Sequence, residues 1–430
     1  MPTPPRLPLS RRQFLAAAPG AVPLLRAQGR RYRTALIGSG WWGMNILMTA
    51  VQAGESEVVA ICDVDQRQLD AALAKLGPLT RDQPRRYEDY RDLLAREKPE
   101  IVIVGTPDHW HALPMIAAVQ AGAHVYVEKP IGHTILEGRA MVNAARSAGA
   151  VVQVGTHRRA SPHNISAREF VRSGKLGKVG MVRCFVHSGG GAGKKVADAE
   201  VPAGLNWDFW LGPAPARPFN PSIHPRGFRQ HLDFANGTIA DWGIHWFDQV
   251  LWIMEEKYPK RVYSTAARRI LADSTDAPDT QIATYDFDQF TMTWEHRRYA
   301  ANRAESTAIG CYFYGEAGTL HLGWRDGWTF HPANPKLPPV HEDPKLNAPD
   351  DQNIRELWAD FLDAIKNKRR AICDIEIGHY STNVSLLGMA SARAGHSLDW
   401  DGVKETITNA PEANRLLRRE YRGPWQYPKA

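Results

Sequence analysis

Between Arg33 and about Gly155, short apolar runs alternate with helix-length segments that carry apolar residues on one face. Residues 34–37, 58–62, 101–104, 124–127 and 151–154 are almost wholly apolar and too short for helices. They read as strands buried on both faces. Residues 41–53, 66–76, 111–121 and 135–148 read as the intervening helices. Near-continuous apolar strands separated by amphipathic helices predict a doubly wound parallel sheet.

After Gly155 the pattern changes. A helix is predicted at 162–173. Longer strand-like segments follow at 179–187, 261–267, 281–286, 291–294, 308–314 and 319–322, with helices at 238–254, 353–366 and 379–394. Strands in runs with helices set apart predict an α+β domain built on an open, largely antiparallel sheet. The fold class is therefore α/β: a Rossmann domain at 31–155 and a second domain at 156–430. Two long segments, 188–202 and 331–349, read as loops, and loops of that length are usually functional. The first holds Gly189-Gly190-Gly191-Ala192-Gly193-Lys194-Lys195, whose spacing and lack of a following Ser or Thr do not make a phosphate loop.

The N-terminal residues add a targeting expectation. Ser10-Arg11-Arg12-Gln13-Phe14-Leu15 and the mildly apolar run to Leu25 match a bacterial twin-arginine signal, with Ala16 where lysine is common. This predicts a leader over residues 1–28, export by the twin-arginine machinery and a periplasmic or otherwise exported location. A basic, unstructured N-terminus is the alternative. The run is too short for a permanent membrane span. Arg6, Arg11, Arg12 and Arg26 lie in this stretch without an acidic residue, so setting them aside lowers the formal charge from +7 to +3. A chain so close to neutral offers no footprint for nucleic acid. The cysteines, Cys62, Cys184, Cys311 and Cys373, are scattered and contain no C-x-x-C. Folding before export, in a reducing compartment, predicts free thiols, and the spacing predicts no metal site.

The first strand ends in Gly38-Ser39-Gly40-Trp41-Trp42-Gly43 and runs into a helix. Glycines there permit a tight turn and close approach of a pyrophosphate, which the helix N-terminus attracts. The second strand ends at Asp63, about twenty residues on, where a carboxylate accepts hydrogen bonds from ribose hydroxyls and repels a 2′-phosphate. The expected cofactor is NAD. Lys129 falls at the carboxyl end of another strand, the edge at which such sheets bind ligands. Asp241 and His245, spaced i, i+4, share a helix face and could touch, a carboxylate raising and orienting an imidazole. A helix-capping Asp and a core His is the plainer reading of the same pair.

Thr106-Pro107-Asp108-His109-Trp110-His111-Ala112 and Val127-Glu128-Lys129-Pro130, together with the glycine turn, resemble the Gfo/Idh/MocA oxidoreductase family. The likeness continues through Gly155-Thr156-His157-Arg158-Arg159, Gly237 to Asp248 and Gly315-Glu316-Ala317-Gly318-Thr319. Asn206-Trp207-Asp208-Phe209-Trp210-Leu211-Gly212-Pro213 and Tyr421-Arg422-Gly423-Pro424-Trp425 are similar to an exported bacterial subgroup. The resemblance implies Lys129, Asp241 and His245 as the catalytic set, with Lys129 directed at the reacting hydroxyl and followed by a proline that is often cis. It implies Glu128 at the nicotinamide ribose, Thr106, Pro107 and His111 along the cofactor groove, and Arg158 near the nicotinamide end. It also implies an oligomer, dimer or tetramer, built on the open sheet. Trp41 or Trp42 could wall the nicotinamide. His157, Trp207, Trp210 and Trp242 are candidate sugar contacts, although core packing serves those tryptophans equally well. Asp248, one turn beyond His245, could orient it in place of Asp241. His157, His163, His187, His224 and His231 match no metal-ligand pattern.

These expectations converge on an exported NAD-dependent oxidoreductase acting on a ring hydroxyl of a pyranose or glycoside. A cofactor carried out of the cytoplasm must be tightly held and regenerated on the protein. A redox-neutral glycosidase that oxidises, eliminates, hydrates and reduces fits the same residues. A silent sugar-binding or scaffold protein is the reading from another class.

Overall fold

The computed structural model describes residues 30–301, 305–348 and 351–429. The expected leader, residues 1–28, lies outside them. The N-terminal half comprises β1 (Tyr32–Ile37), α1 (Trp41–Ala53), β2 (Ser56–Cys62), α2 (Gln66–Leu76), β3 (Arg85–Tyr87), α3 (Tyr90–Glu97), β4 (Ile101–Val104), α4 (Ala112–Gln120), β5 (His124–Val127), α5 (Ile135–Ala148) and β6 (Val152–Val154). Among the described residues its six strands pair in the order β3-β2-β1-β4-β5-β6, all parallel. The order reverses between β1 and β4, so both carboxyl ends open into one crevice. β3 and α3 were not anticipated: Arg85-Arg86-Tyr87 is a short, mostly exposed edge strand without an apolar signature.

Local chemistry fixes the helix ends. Asp65 caps α2 by accepting from the Arg67 N–H. Thr134 and Glu137 form a reciprocal capping box on α5. Gly54 and Gly149 end α1 and α5 in the left-handed conformation.

The second half comprises α6 (Pro162–Arg172), β7 (Val179–His187), α7 (Trp207–Leu211), α8 (Ile244–Met254), β8 (Arg261–Ala267), β9 (Thr280–Asp286), β10 (Thr291–Arg297), β11 (Ile309–Gly315), β12 (Gly318–Gly323), β13 (Trp328–Pro332), β14 (Val340–Glu342), α9 (Ile354–Lys366), α10 (Ile375–Ala394), β15 (Leu398–Asp401) and β16 (Thr406–Ile407). Among the described residues ten strands form one sheet, β14-β13-β12-β11-β7-β10-β9-β8-β15-β16. Only the β7–β10 pair within it is parallel. α8 and α10 cover one face. The other carries exposed Met181, Tyr263 and Ile282, alternating with buried Val182, Val262 and Ala283.

Three sequence expectations change here. The proline-rich loop at 331–349 contains β14, paired with β13. The helix expected at 238–254 is a π turn over Ile239–Gly243 followed by α8. α9, although late in the chain, packs its Leu357, Trp358 and Phe361 into the first core, against Tyr126. Full burial of each such side chain contributes roughly 1.5–3 kcal/mol. All four cysteines are free and buried.

The C-terminal tail returns to the first domain. Arg419 Nε and the Tyr421 hydroxyl donate to the same Glu137 carboxylate oxygen at 2.9 and 2.8 Å. The other oxygen accepts from the His133 and Thr134 N–H groups. Tyr427 meets Thr134, and Trp425 packs edge-on against Trp110. Removing one member of a buried charged pair leaves the other uncompensated, at a cost of about 3–5 kcal/mol. Glu137→Gln is therefore expected to lower the chemical-denaturation midpoint by a free energy of about that size. Wild-type stability in this variant would show that the tail contributes no such clamp.

Candidate active site

A cavity of about 300 Å³ runs along the carboxyl edge of the first sheet, walled on its far side by residues of the second half. Its cofactor end is built by the turn after β1. Gly38 has φ +90°, and a Cβ there would lie 2.7 Å from the Gly105 carbonyl carbon. Gly43 packs against the Gly38 carbonyl with no room for a side chain. A Cβ on Gly40 would meet nothing within 4 Å, so the backbone at the start of α1 is open to the cavity. Its N-cap is this glycine, which supplies no side-chain hydrogen bond and leaves the positive helix end for an anion. Asp63 accepts from the Ser39 N–H and hydroxyl at 2.8 and 3.0 Å and from the Asp65 N–H at 3.0 Å. Burial pushes its pKa up, against these hydrogen bonds. No arginine pairs with it among the described residues, as a 2′-phosphate site would require.

A segment of the second half closes over this end. Its own apolar cluster holds Leu205, Trp207, Trp210, Phe219 and Phe228 together. The Asn206 N–H donates to the Val64 carbonyl, and the Gln66 N–H to the Gly204 carbonyl, both at 2.9 Å. His224 Nε2 lies 3.0 Å from the Asp65 carboxylate, and the Arg226 guanidinium sits over the half-exposed Trp41 ring. Trp207 belongs to this cluster, not to the cavity wall as expected. Its indole N–H donates to the Arg217 carbonyl and its ring stacks on Trp210, which does reach the cavity.

Further along, Thr106, Pro107 and Glu128 line the cavity. The Thr106 hydroxyl and Glu128 Oε1 are buried without a partner. Such orphaned groups fit a bound ribose, and with the open Gly40 cradle they make the residues present a match for NAD. Gly155 is required beside them, because a Cβ there would overlap Glu128. Burial pushes the Glu128 carboxyl up. His111 also reaches the wall, but its ring nitrogens face the Pro130 and Thr106 carbonyls at 2.7 and 2.8 Å. It braces the turns after β4 and β5, and burial lowers its pKa to about 4.

Lys129 follows β5, and its bond to Pro130 is cis. Its Nζ donates to the Asp241 carbonyl at 2.7 Å and to Asp241 Oδ1 at 2.9 Å. Arg229 approaches the same carboxylate at 3.4 Å. Burial opposes ionisation of Asp241, but these two cations outweigh it and hold the carboxyl below its usual range. Asp241 thus pairs with Lys129, not with His245 as the i, i+4 spacing implied. The π turn around it carries extra backbone per turn, so that spacing no longer stacks the two side chains.

His245 is 7% exposed, lines the cavity and has no partner for Nδ1. Burial, then the charges of Lys129, His157 and Arg158, depress its pKa well below the ordinary value. The ring is neutral, opposite to the carboxylate-raised histidine expected. Asp248 cannot orient it either: its carboxylate is fully buried on Arg159 Nε at 2.9 and 3.0 Å and on the Ser381 hydroxyl. His157 and Trp242 do line the cavity. Arg158 does not. Its guanidinium stacks 3.6 Å from the Trp324 centroid, with no hydrogen-bond partner and with a pKa lowered by burial to about 9.

The remaining histidines are engaged elsewhere. His163 accepts from the Lys345 N–H and His231 meets Ser222. His187 lies between Glu295 and Glu305, whose carboxylates also pair with Arg183 and Arg297, an ion-pair network rather than a vacant ligand set. Sequence reasoning did not single out Asp108, Arg226, Arg229, Trp324 or Gln352 as site residues, yet all five line the cavity. Asp108 stood inside the motif already noted, and Arg229 inside the histidine-bounded stretch 224–231. Trp324 carried no sequence signal.

Comparison with known proteins agrees with this architecture. Residues 32–156 match the model "Oxidoreductase family, NAD-binding Rossmann fold", and residues 177–427 match "Oxidoreductase family, C-terminal alpha/beta domain". A glycosyl hydrolase family 109 protein of Shewanella sp. is 36% identical over 117 residues, 26% of each chain. The first such relatives are matched over 26–40% of their own length. D-glucoside 3-dehydrogenase of Escherichia coli is 23% identical over 79% of this chain and 89% of its own. The structure of a levoglucosan dehydrogenase in complex with NADH and levoglucosan superposes with a TM-score of 0.68 at 18% identity, covering 86% of this chain and 99% of that one, a likeness of fold. With the C-terminal model alone spanning more than half of the sequence, the chain belongs to the Gfo/Idh/MocA oxidoreductase family, as an NAD-binding enzyme.

Proposed function

We propose that the protein oxidises a ring hydroxyl of a pyranose or glycoside, using NAD that it holds tightly and regenerates in place. The observation that carries this reading is the meeting of the Lys129–Asp241 pair with a neutral His245 on one cavity wall, beside a dinucleotide turn. Relatives named as glucoside and levoglucosan dehydrogenases support the substrate class. Bound NAD supplies the hydride acceptor. The protein supplies the rest. Lys129 donates a hydrogen bond to the reacting oxygen, stabilising negative charge as it develops. Asp241 holds Lys129 aimed. His245, neutral, accepts a hydrogen bond from the hydroxyl. Trp242 and Trp324 offer apolar faces to the sugar's C–H groups.

The segment over the adenosine end supports retention. It reaches the first domain through the His224–Asp65 pair, two backbone hydrogen bonds and Arg226 over Trp41. Retention in turn suits the twin-arginine motif at residues 10–15, from which we infer export. The exposed sheet face bearing Met181, Tyr263 and Ile282 is the surface on which we place a homo-oligomer contact.

A second reading shares the first step. Oxidation at C3 acidifies the C2 proton and permits elimination of the glycosidic group from C1, after which hydration and reduction restore the cofactor. The likeness to glycosyl hydrolase family 109 proteins favours it over the matched 117 residues. Product masses from a glycoside panel separate the two: loss of two hydrogens means oxidation, release of free aglycone means cleavage.

Three outcomes are expected. Lys129→Ala and His245→Ala should keep fold and bound NAD yet lose hydride transfer, read as transient NADH absorbance, by a factor of ~10² to 10⁴. Normal NADH formation in both would move the chemistry elsewhere in the cavity. Protein purified without added nucleotide should release near-stoichiometric NAD on denaturation. His224→Ala, which cuts the tie to Asp65, should speed NAD loss on dilution by about tenfold, the equivalent of about 1.4 kcal/mol. An unchanged dissociation rate would show that this segment does not retain the cofactor.

A further inference from the structure

Of the carboxylates that line the cavity, Asp108 and Asp241 lie close enough to repel each other, and their surroundings differ sharply. Asp241 is committed: it is bonded to Lys129 and approached by Arg229. Asp108, which opens the 3₁₀ turn Asp108–Trp110 after β4, is 6% exposed and also lines the cavity. Among the described residues its carboxylate makes no ion pair and no hydrogen bond to another side chain. Lys129 and Arg229 act on it only from beyond pairing distance, and Asp241 repels it. A buried carboxyl group left uncommitted beside a lysine, in a cavity wall, has the geometry of a proton carrier.

The chemistry requires one. When a hydroxyl is oxidised, the O–H bond breaks and its electron pair becomes the new C=O π bond. The carbon's hydrogen leaves with its pair as hydride to the oxidised cofactor. The hydroxyl proton must come to rest on the protein. On His245 it would create a buried imidazolium near Lys129 and Arg158, the two cations that already depress that ring. On Asp241 it would cost the pair with Lys129.

We propose that Asp108 is the resting place of that proton, a further catalytic residue that takes it up in oxidation and returns it in reduction. This rests on the reading that a hydroxyl is oxidised in this cavity. The assignment is consistent with the pKa of Asp108, raised by burial, and then by Asp241 against the pull of Arg229 and Lys129, to about 7. A carboxylate is therefore available just above neutrality and a carboxylic acid just below. Oxidation consumes the ionised form, so its rate should rise with pH through about 7 and level off, while reduction should fall over the same window.

The test combines kinetics with direct titration. In the holoenzyme, Asp108→Asn should slow hydride transfer by a factor of ~10² and flatten the limb near neutrality, while Asp108→Glu restores part of both. NAD content should be unchanged in each variant. The infrared difference between wild type and Asp108→Asn should show a protonated-carboxyl stretch that disappears with a midpoint near 7. An Asn variant that keeps the wild-type limb overturns the proposal. So does a carboxyl that ionises at the ordinary carboxylate value of about 4. If no carbohydrate reduces the cofactor even in the wild type, the substrate reading fails instead, and the infrared titration alone then judges Asp108.

Discussion

The Lys129 ammonium reaches from the end of β5 to the backbone and carboxylate of Asp241, joining the first sheet to the second half of the chain across the cavity. The rest of the candidate site is arranged around that one charge. It holds Asp241 ionised against burial and helps to keep His245 neutral. It pulls on Asp108 from a distance at which it cannot pair. Together with burial and Arg229, this cation sorts three titratable neighbours into a fixed anion, a neutral acceptor and a carboxyl poised between states. Moving it by one side-chain length would leave Asp241 a buried, half-compensated charge.

The parallel sheet was legible because its strands are buried on both faces, so apolar continuity marks them in the sequence. β4 and β5 fell where expected to the residue. β3 escaped because an edge strand of Arg-Arg-Tyr faces water and has no pattern to read. β14 escaped because a three-residue strand paired at the sheet margin lies among prolines. In the site, the glycine turn and Asp63 could be read because dinucleotide chemistry constrains a contiguous stretch. The partners of Asp241, Asp248 and Arg158 could not. Each depends on a residue far along the chain: Lys129 is 112 positions from Asp241, and Arg159 is 89 from Asp248. The i, i+4 rule failed at Asp241 because it presumes an α-helix, and a π turn stands there instead.

The segment around Trp207 shows why tryptophans mislead. Placed near a cleft, they suggest sugar stacking. Here Trp207 is the keystone of a small apolar cluster that gives the segment its own rigidity, and the cavity receives only its neighbours. The segment can bridge to Asp65 and Val64 because it carries that core with it. Aromatic burial and ligand contact are thus divided between adjacent residues, which composition cannot distinguish.

The Glu137 clamp has a temporal consequence. The carboxylate is buried early in the sequence, whereas Arg419 lies 282 positions later. At roughly 5–20 residues per second, a ribosome needs on the order of tens of seconds to deliver that arginine after Glu137 has emerged. Throughout that interval the first domain carries an anion that its own residues neutralise only through backbone N–H groups. The buried pair that closes this part of the nucleotide-binding half therefore waits for Arg419 to be synthesised.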